Sequence, residues 1–239
     1  MPLGLFDVVG PVMHGPSSNH TAGATRIGYL AREIMGGTPS VVRLGFHKAY
    51  IRSFAGQNTH SAMIAGLLGY REYDDAGVGA MSELKARGIP WSPYAIEEEN
   101  ITRNNFRVLA DLEGGEVWEV NGDSIGAGNI IIDKINGLSV FLDGNNWELI
   151  VTSDDESLVG DVAAELKKLA GSALKHAVSG QNLGDKWLFI GTFGSMPPSV
   201  GELGEALSRK IPGGELSPEP YKKIPDWRMK KINLCVIKN

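Results

Sequence analysis

The stretch "GPSSNHTAGATRIGYLAREIMGG", residues 15–37, passes without a break from a polar string into a helical pattern. Ile27, Leu30, Ala31 and Ile34 fall at i, i+3, i+4 and i+7, the stripe of an amphipathic helix, and Gly36 and Gly37 supply its stop. Ser18, Asn19 and Thr21 are the candidate N-caps, which places the helix start within the polar string. The first backbone N–H groups of a helix, with the dipole behind them, favour an anion in front. Cap chemistry alone also accounts for most of this composition, so a binding role needs support from the rest of the chain. Upstream, "LFDVVGPVM" (5–13) is apolar and β-branched and reads as a short extended segment ending in a turn.

The chain has 239 residues, 42% apolar and 21% charged, with a net charge of -5. That length holds one large or two ordinary domains with a real core. The negative balance argues against a nucleic-acid partner. No apolar run approaches the roughly 18–20 residues of a membrane span, and the amino terminus lacks a basic segment followed by an apolar one, so a cytoplasmic protein is expected. The single cysteine, Cys235, excludes an internal disulfide and any Cys-Cys or Cys-His metal spacing. An iron–sulfur cluster would draw most of its thiolate ligands from another chain.

The expected fold class is α+β. In the first part, 1–143, "SVVRLGFHKAYIRSF" (40–54) alternates as a strand, "THSAMIAGLLGY" (59–70) is an apolar helix, and "GVGAMSELKARGI" (77–89) is a second helix closed by Gly88. "NNFRVLADLE" (104–113) and "EVWEVNGDSIGAGNIIIDKINGLSV" (116–140) read as three strands with glycine-rich turns, Asn136-Gly137 being the last hairpin signal. The second part, 144–214, runs strand ("WELIVTS"), helix ("ESLVGDVAAELKKLA", with Leu158, Val162, Leu166 and Leu169 on one stripe), then a hairpin ("ALKHAVSGQ" and "KWLFIGTF" around Gly184) and a helix ("SVGELGEALSRK"). That order predicts a ferredoxin-like βαββαβ unit. Its last strand is either "YKKI" or the closing "KINLCVI" within an otherwise irregular tail, 215–239.

The segment "FDVVGPVMHGPSSNHTAGATRIG" (6–28) closely resembles the start of the β subunit, or β domain, of the iron–sulfur-dependent L-serine dehydratases (L-serine ammonia-lyases), whose pattern is Gly-Pro-Ser-Ser-Ser-His-Thr-Ala-Gly. "SFAGQNTHSAMIAGLLGY" (53–70) is similar to the family's Gly-His-Gly-Thr-Asp segment and the helix after it, and "DSIGAGNIII" (123–132) to its Ser-(Ile/Val)-Gly-Gly-Gly segment. The second half resembles the ACT domain of two-chain members. The resemblance therefore implies an N-terminal α/β serine-dehydratase β domain followed by an ACT-like domain. It also implies a lyase subunit that needs a partner: a four-iron, four-sulfur cluster held mainly by an α subunit acts as a Lewis acid on the substrate in a hetero-oligomer that turns L-serine into pyruvate and ammonia.

Carried over by position, Ser17, Ser18, His20 and His60 are the implied catalytic residues. Asn19, Thr21, Gln57, Asn58, Thr59, Gly126 and Gly128 are the implied substrate-binding residues, and no metal ligand is expected in this chain. Short donors at a helix start suit a carboxylate and a leaving hydroxyl. Gly126 and Gly128 permit close backbone approach or simply make a hairpin. The chain departs from the pattern at Gly56-Gln57-Asn58-Thr59-His60, where an amide incapable of base catalysis replaces the family histidine and His60 stands three positions later. Asn19 and Ala127 are further departures, and Ser157-Leu158 replaces the usual Pro-Gly after the first ACT strand, which favours a structural or dimerising unit. The same chemistry on another β-hydroxy amino acid, and a non-catalytic amino-acid-sensing or assembly protein, are the alternative readings.

Overall fold

The stripe at 27–34 is the buried face of helix α1 (Ala24–Met35), with Ile27, Leu30, Ala31 and Ile34 all buried and Gly36 closing the helix in the left-handed conformation. The computed structural model describes residues 11–153, 155–181, 187–195 and 232–238. The chain divides into two compact units, Met1–Asp143 and Gly144–Asn239. The start of α1 differs from expectation. A π-helical turn, Ser18–Gly23, runs directly into it, and the cap is Ser17, whose hydroxyl accepts from the His20 backbone N–H. None of the three expected caps has that position, because the helical rotation already begins at Ser18, the earliest of them.

The first unit is built on a six-stranded sheet of β1 (Val41–His47), β2 (Trp91–Ile96), β3 (Asn105–Asp111), β4 (Val117–Gly126), β5 (Asn129–Ile135) and β6 (Leu138–Leu142), ordered β2-β1-β3-β4-β5-β6. β1 and β2 are parallel and the other pairs antiparallel. Phe106, Val108 and Ala110 of β3 are fully buried at alternate positions, the period-two signature of a strand facing the core. Between β1 and β2 the chain forms α2 (Thr59–Leu67) and α3 (Ala80–Ala86).

Two expectations are corrected here, and one strand was not foreseen. The strand read over 40–54 ends at His47, because Tyr50 and Ile51 both donate to the His47 carbonyl and fold the chain into turns. The segment at 104–140 contains four strands rather than three. The Asn136-Gly137 pair, both with positive φ (49° and 85°), closes a hairpin onto the additional strand β6. β2, "WSPYAI", carries no sequence signal for a strand: Pro93 interrupts the run, and it is tolerated because β2 lies at the sheet edge.

Two glycines fix how the helices lie. A Cβ on Gly28 of α1 would stand 2.2 Å from the Met63 carbonyl oxygen, and one on Gly66 of α2 would stand 2.1 Å from the Thr25 carbonyl oxygen. The backbones therefore cross at a distance that only glycine on both sides allows. Against the sheet, Ile27 and Ile132 fill the space beside Gly122 of β4, where a Cβ would meet their methyl and methylene carbons at 2.9–3.0 Å. This seats α1 and holds the preceding polar turn over β4.

The second unit is a four-stranded antiparallel sheet, β10-β7-β9-β8, formed by β7 (Trp147–Ser153), β8 (Leu174–Gln181), β9 (Trp187–Phe193) and β10 (Ile232–Lys238). Helix α4 (Glu156–Ala170) connects β7 to β8 and is entered at Asp155, whose carboxylate accepts from the Ser157 backbone N–H at 3.0 Å and its hydroxyl at 2.7 Å. "KINLCVI" thus supplies the last strand, with Cys235 paired to Ile150. The turn at Gly184, the helix at 199–210, "YKKI" and residues 5–10 lie outside the described residues. The buried stripe of α4 is Val159, Val162 and Leu166, packed with Leu149, Val151, Phe189 and Phe193. Val162 and Leu166 are buried as the expected stripe requires, Leu169 at its end is 44% exposed, and the Leu158 side chain lies outside the described residues. Among the described residues no helix is long and apolar enough to cross a membrane.

The glycine crossing gives a direct test. Gly66→Ala forces backbone apart and is expected to cost about 1–3 kcal/mol. Gly37→Ala, where a Cβ meets nothing within 4 Å, is expected to be near neutral. Denaturant midpoints of the two variants check the contrast.

Candidate active site

The polar turn packs its histidine against buried aromatic rings. Its His20 ring, half-buried, stacks on Tyr50 with centroids 4.8 Å apart and planes 17° from parallel, and meets Phe106 edge-on at 6.4 Å. His20 Nδ1 lies 3.1 Å from Ser17 Oγ, and the Asn104 side chain hydrogen-bonds the same imidazole. Burial pushes the His20 pKa below its ordinary 6.5, and the Asn104 bond opposes part of that shift. The imidazole is therefore neutral near pH 7 and held on two sides.

Tyr50 links this turn to the start of α2. Its hydroxyl is 2.5 Å from Oγ1 of Thr59, which is fully buried, and burial raises the Tyr50 pKa while the Thr59 bond lowers it. The turns that end β1 at His47 place Tyr50 here. Had the strand continued to residue 54, the phenol could not have reached both partners. Thr59, the position that matches the family's threonine, is thus joined to His20 through one ring.

His60 goes elsewhere. Its ring stacks on Trp91 at 5.3 Å and meets Phe54 edge-on at 5.2 Å, and burial pushes its pKa below 6.5. Its Nδ1 is buried with no hydrogen-bond partner among the described residues. Gln57 is half-buried in the turn before α2, and Asn58 is exposed in the left-handed conformation (φ 57°), making no side-chain cap.

On the other flank, Thr21 and Asn58 meet in one cavity of about 300 Å³, shared with Ser61 of α2 and with Arg71 and Asp74. Thr21 is 5% exposed, and its Oγ1 has no partner among the described residues. Ser18 and Asn19 open the π-helical turn, and Asn19 Oδ1 is likewise buried and unpartnered. Behind the turn, a Cβ on Gly23 would fall 2.1 Å from Ser124 Oγ, so the turn is pressed onto β4.

The β4–β5 hairpin approaches from the same side. Ala127 and Gly128 form its turn with φ of 50° and 81°. A Cβ on Gly128 would meet Pro11 at 2.9 Å and Ala22 at 3.4 Å, and the Gly128 carbonyl accepts from Arg26 Nη1 at 2.9 Å. Close approach is therefore the role of Gly128. Gly126 enters the turn with φ 118° and open space around it, so its role is the hairpin.

Sequence reasoning missed Tyr50, Asn104, Phe106 and Arg71. Tyr50 was hidden inside a strand-like alternation, and the others come from separate segments that only the fold brings to the turn. The donor set does not suit an iron–sulfur cluster: the sequence has one cysteine, and no group of three or more His, Cys, Asp or Glu among the described residues is placed to hold a metal ion.

Tyr50→Phe keeps the ring stack but leaves the buried Thr59 hydroxyl without its partner. It is expected to destabilise the chain by about 1–3 kcal/mol, read as a lowered denaturation midpoint.

No protein-family model matches the chain. Curated relatives do. It is 35% identical over 167 residues to the probable L-serine dehydratase, beta chain, of Bacillus subtilis (strain 168), covering 70% of this chain and 76% of that protein. It is 32% identical over 136 residues to the L-serine dehydratase, beta chain, of Peptoniphilus asaccharolyticus, covering 56% and 61%. With the resemblance of its polar turn now matched by identity across most of a relative's length, the chain belongs to the L-serine dehydratase beta-chain family.

Proposed function

We propose that this chain is the β subunit of an iron–sulfur L-serine dehydratase, forming one wall of an active site whose cluster sits on an α subunit. The observation that carries the reading is the neutral His20 imidazole, stacked on Tyr50 and bonded by Ser17 and Asn104, in a chain related to serine dehydratase beta chains. The single cysteine supports a division of labour in which the partner provides the cluster ligands. The cluster, when bound there, supplies Lewis acidity toward the substrate hydroxyl.

The residues of this chain supply positioning and proton transfer. A neutral imidazole accepts a proton, and His20 is assigned the proton on the serine α-carbon. As that proton leaves, the electron pair forms the α,β double bond and the C–O bond to the β-hydroxyl breaks; the hydroxyl takes up the proton that His20 accepted and departs as water, leaving aminoacrylate and a neutral imidazole. The imine tautomer of aminoacrylate takes up water and yields pyruvate and ammonia, which balances the reaction. Ser17 fixes the ring through Nδ1, and Tyr50 holds the ring plane. Ser18, Asn19 and Thr21 are assigned to the polar groups of the substrate on the side of the turn, with Thr59 holding Tyr50 from the other.

Gln57 cannot take over the base role of the family histidine, and His60 packs against Trp91 and Phe54, so His20 carries the proton transfer in this account. We assign the second unit as an ACT-like structural or dimerising domain, supported by its strand order β10-β7-β9-β8 with one helix joining β7 to β8.

The test is serine-dependent release of pyruvate and ammonia by the chain co-purified anaerobically with its cluster-bearing partner. His20→Asn is expected to lower kcat by about 10²-fold or more while the complex still assembles. A cluster-containing complex that dehydrates a different β-hydroxy amino acid would replace the substrate, and one inert to all of them would defeat the reading.

The pH dependence has a defined sign. Because the folded His20 pKa lies below 6.5, the base stays neutral to lower pH than a free histidine, and the acid limb of kcat/KM falls below pH 6.5. The Asn104 bond raises that pKa, so Asn104→Leu is expected to move the limb to still lower pH. An unmoved limb would assign it to another group.

A further inference from the structure

The segment "DSIGAGN" (123–129) does more than turn the β4–β5 hairpin. Successive side chains of a strand point to opposite faces, so Asp123 and Ser124 of β4 reach different neighbours. Ser124 lies behind Gly23 of the polar turn. Asp123 meets the end of the connection between β2 and β3. Its Oδ1 accepts from the Thr102 hydroxyl at 2.5 Å and from the Asn105 side-chain amide at 3.2 Å. Asn105 is the cross-strand neighbour of Asp123 and is 1% exposed, whereas Thr102 is exposed.

One carboxylate oxygen thus grips both ends of a turn, across which the Asn105 backbone N–H donates to the Thr102 carbonyl at 3.2 Å. Asn104 is carried inside that turn. Its backbone carbonyl accepts from the Ser124 N–H at 3.1 Å, and its side chain hydrogen-bonds the His20 imidazole. The Ser124 bond anchors Asn104 at one point, and the grip on both flanks removes the freedom of the turn to swing about that point. The Asp123 charge is not free of cost. Nearby on β5, burial and then the Asp123 charge raise the Asp133 pKa, while Lys134 and Arg107 oppose the rise.

We propose that Asp123 is a positioning residue for the reaction: by clamping Thr102 and Asn105 it presents the Asn104 side chain to the His20 imidazole. The role rests on His20 as the proton acceptor of the proposed function, and Asp123 itself touches no reacting atom. It acts through Asn104 and not through its charge.

A negative charge acting through space would also raise the His20 pKa, so the test separates charge from clamp. Asp123→Asn removes the charge and keeps a carbonyl oxygen that accepts both bonds, whereas Asp123→Ala removes both. NMR titration of His20 in the full-length chain reads the difference. Asp123→Ala is expected to lower the His20 midpoint by most of the drop that Asn104→Leu gives, and Asp123→Asn to keep the midpoint of the unmodified chain. In the Asn104→Leu background, Asp123→Ala is expected to add nothing, the coupling of two residues that act as one unit. Thr102→Val breaks the clamp from its other side, and it takes the place of Asp123→Ala in both comparisons if that variant shows no cooperative melting transition. A midpoint unmoved by the broken clamp, an equal drop in Asp123→Asn, or a drop that persists without Asn104 overturns the proposal.

In the assembled complex the acid limb of kcat/KM is expected to follow the same order among the variants. A limb that stays fixed while the NMR midpoint moves removes His20 as the base and, with it, the role of Asp123 in the reaction. The NMR measurement needs no turnover, so a complex inert to serine would defeat the dehydratase reading while the hold of Asp123 on His20 is decided on its own.

Discussion

The Tyr50 side chain joins two segments that the sequence keeps apart. Its ring carries His20 from the polar turn, and its hydroxyl carries Thr59 from the start of α2. Each contact alone is worth little: a ring stack contributes about 0.5–1.5 kcal/mol and a hydrogen bond about 0.5–1.5. Their value lies in geometry, because the same ring cannot shift toward one partner without leaving the other. The crossing of α1 and α2 at Gly28 and Gly66 sets the distance that the Tyr50 link spans.

Burial gives this arrangement its chemistry. A histidine on a solvated helix start would titrate near 6.5 and spend part of its time as a cation. Packed on Tyr50 and Phe106, His20 is held neutral, so it can take a proton rather than only stabilise charge. The sheet supports the turn from behind through Ser124 and through the close approach of Gly128 to Pro11 and Ala22. An altered serine string, with Asn19 at its third serine, thus keeps its helical turn because the support comes from β4 and β5 and not from that side chain.

Much of the fold was legible in residue patterns. The stripe of α1, the apolar α2, the Asn136-Gly137 hairpin and the strand–helix–strand–strand order of the second unit follow from period and turn chemistry that act locally. What was not legible depends on tertiary contact. β2 forms because β1 offers it an edge, despite Pro93. The strand through Tyr50 breaks because its turns are fixed by bonds to the His47 carbonyl. The exposure of Leu169 at the end of α4 depends on which residues of the helix meet Leu149 and Phe189. The site divides the same way. His20 and its turn stood out as a string, whereas Tyr50, Asn104 and Arg71 were ordinary residues until the chain brought them together.

The account turns on a neutral, immobilised His20, and that is open to direct observation. Titration of the His20 ring nitrogens and ring protons by NMR in the full-length chain, assigned by comparison with His20→Asn, measures its pKa and tautomer. The account predicts a midpoint below 6.5 that drops further when Asn104 is replaced by leucine. A midpoint at or above 6.5, unaffected by Asn104, would contradict it.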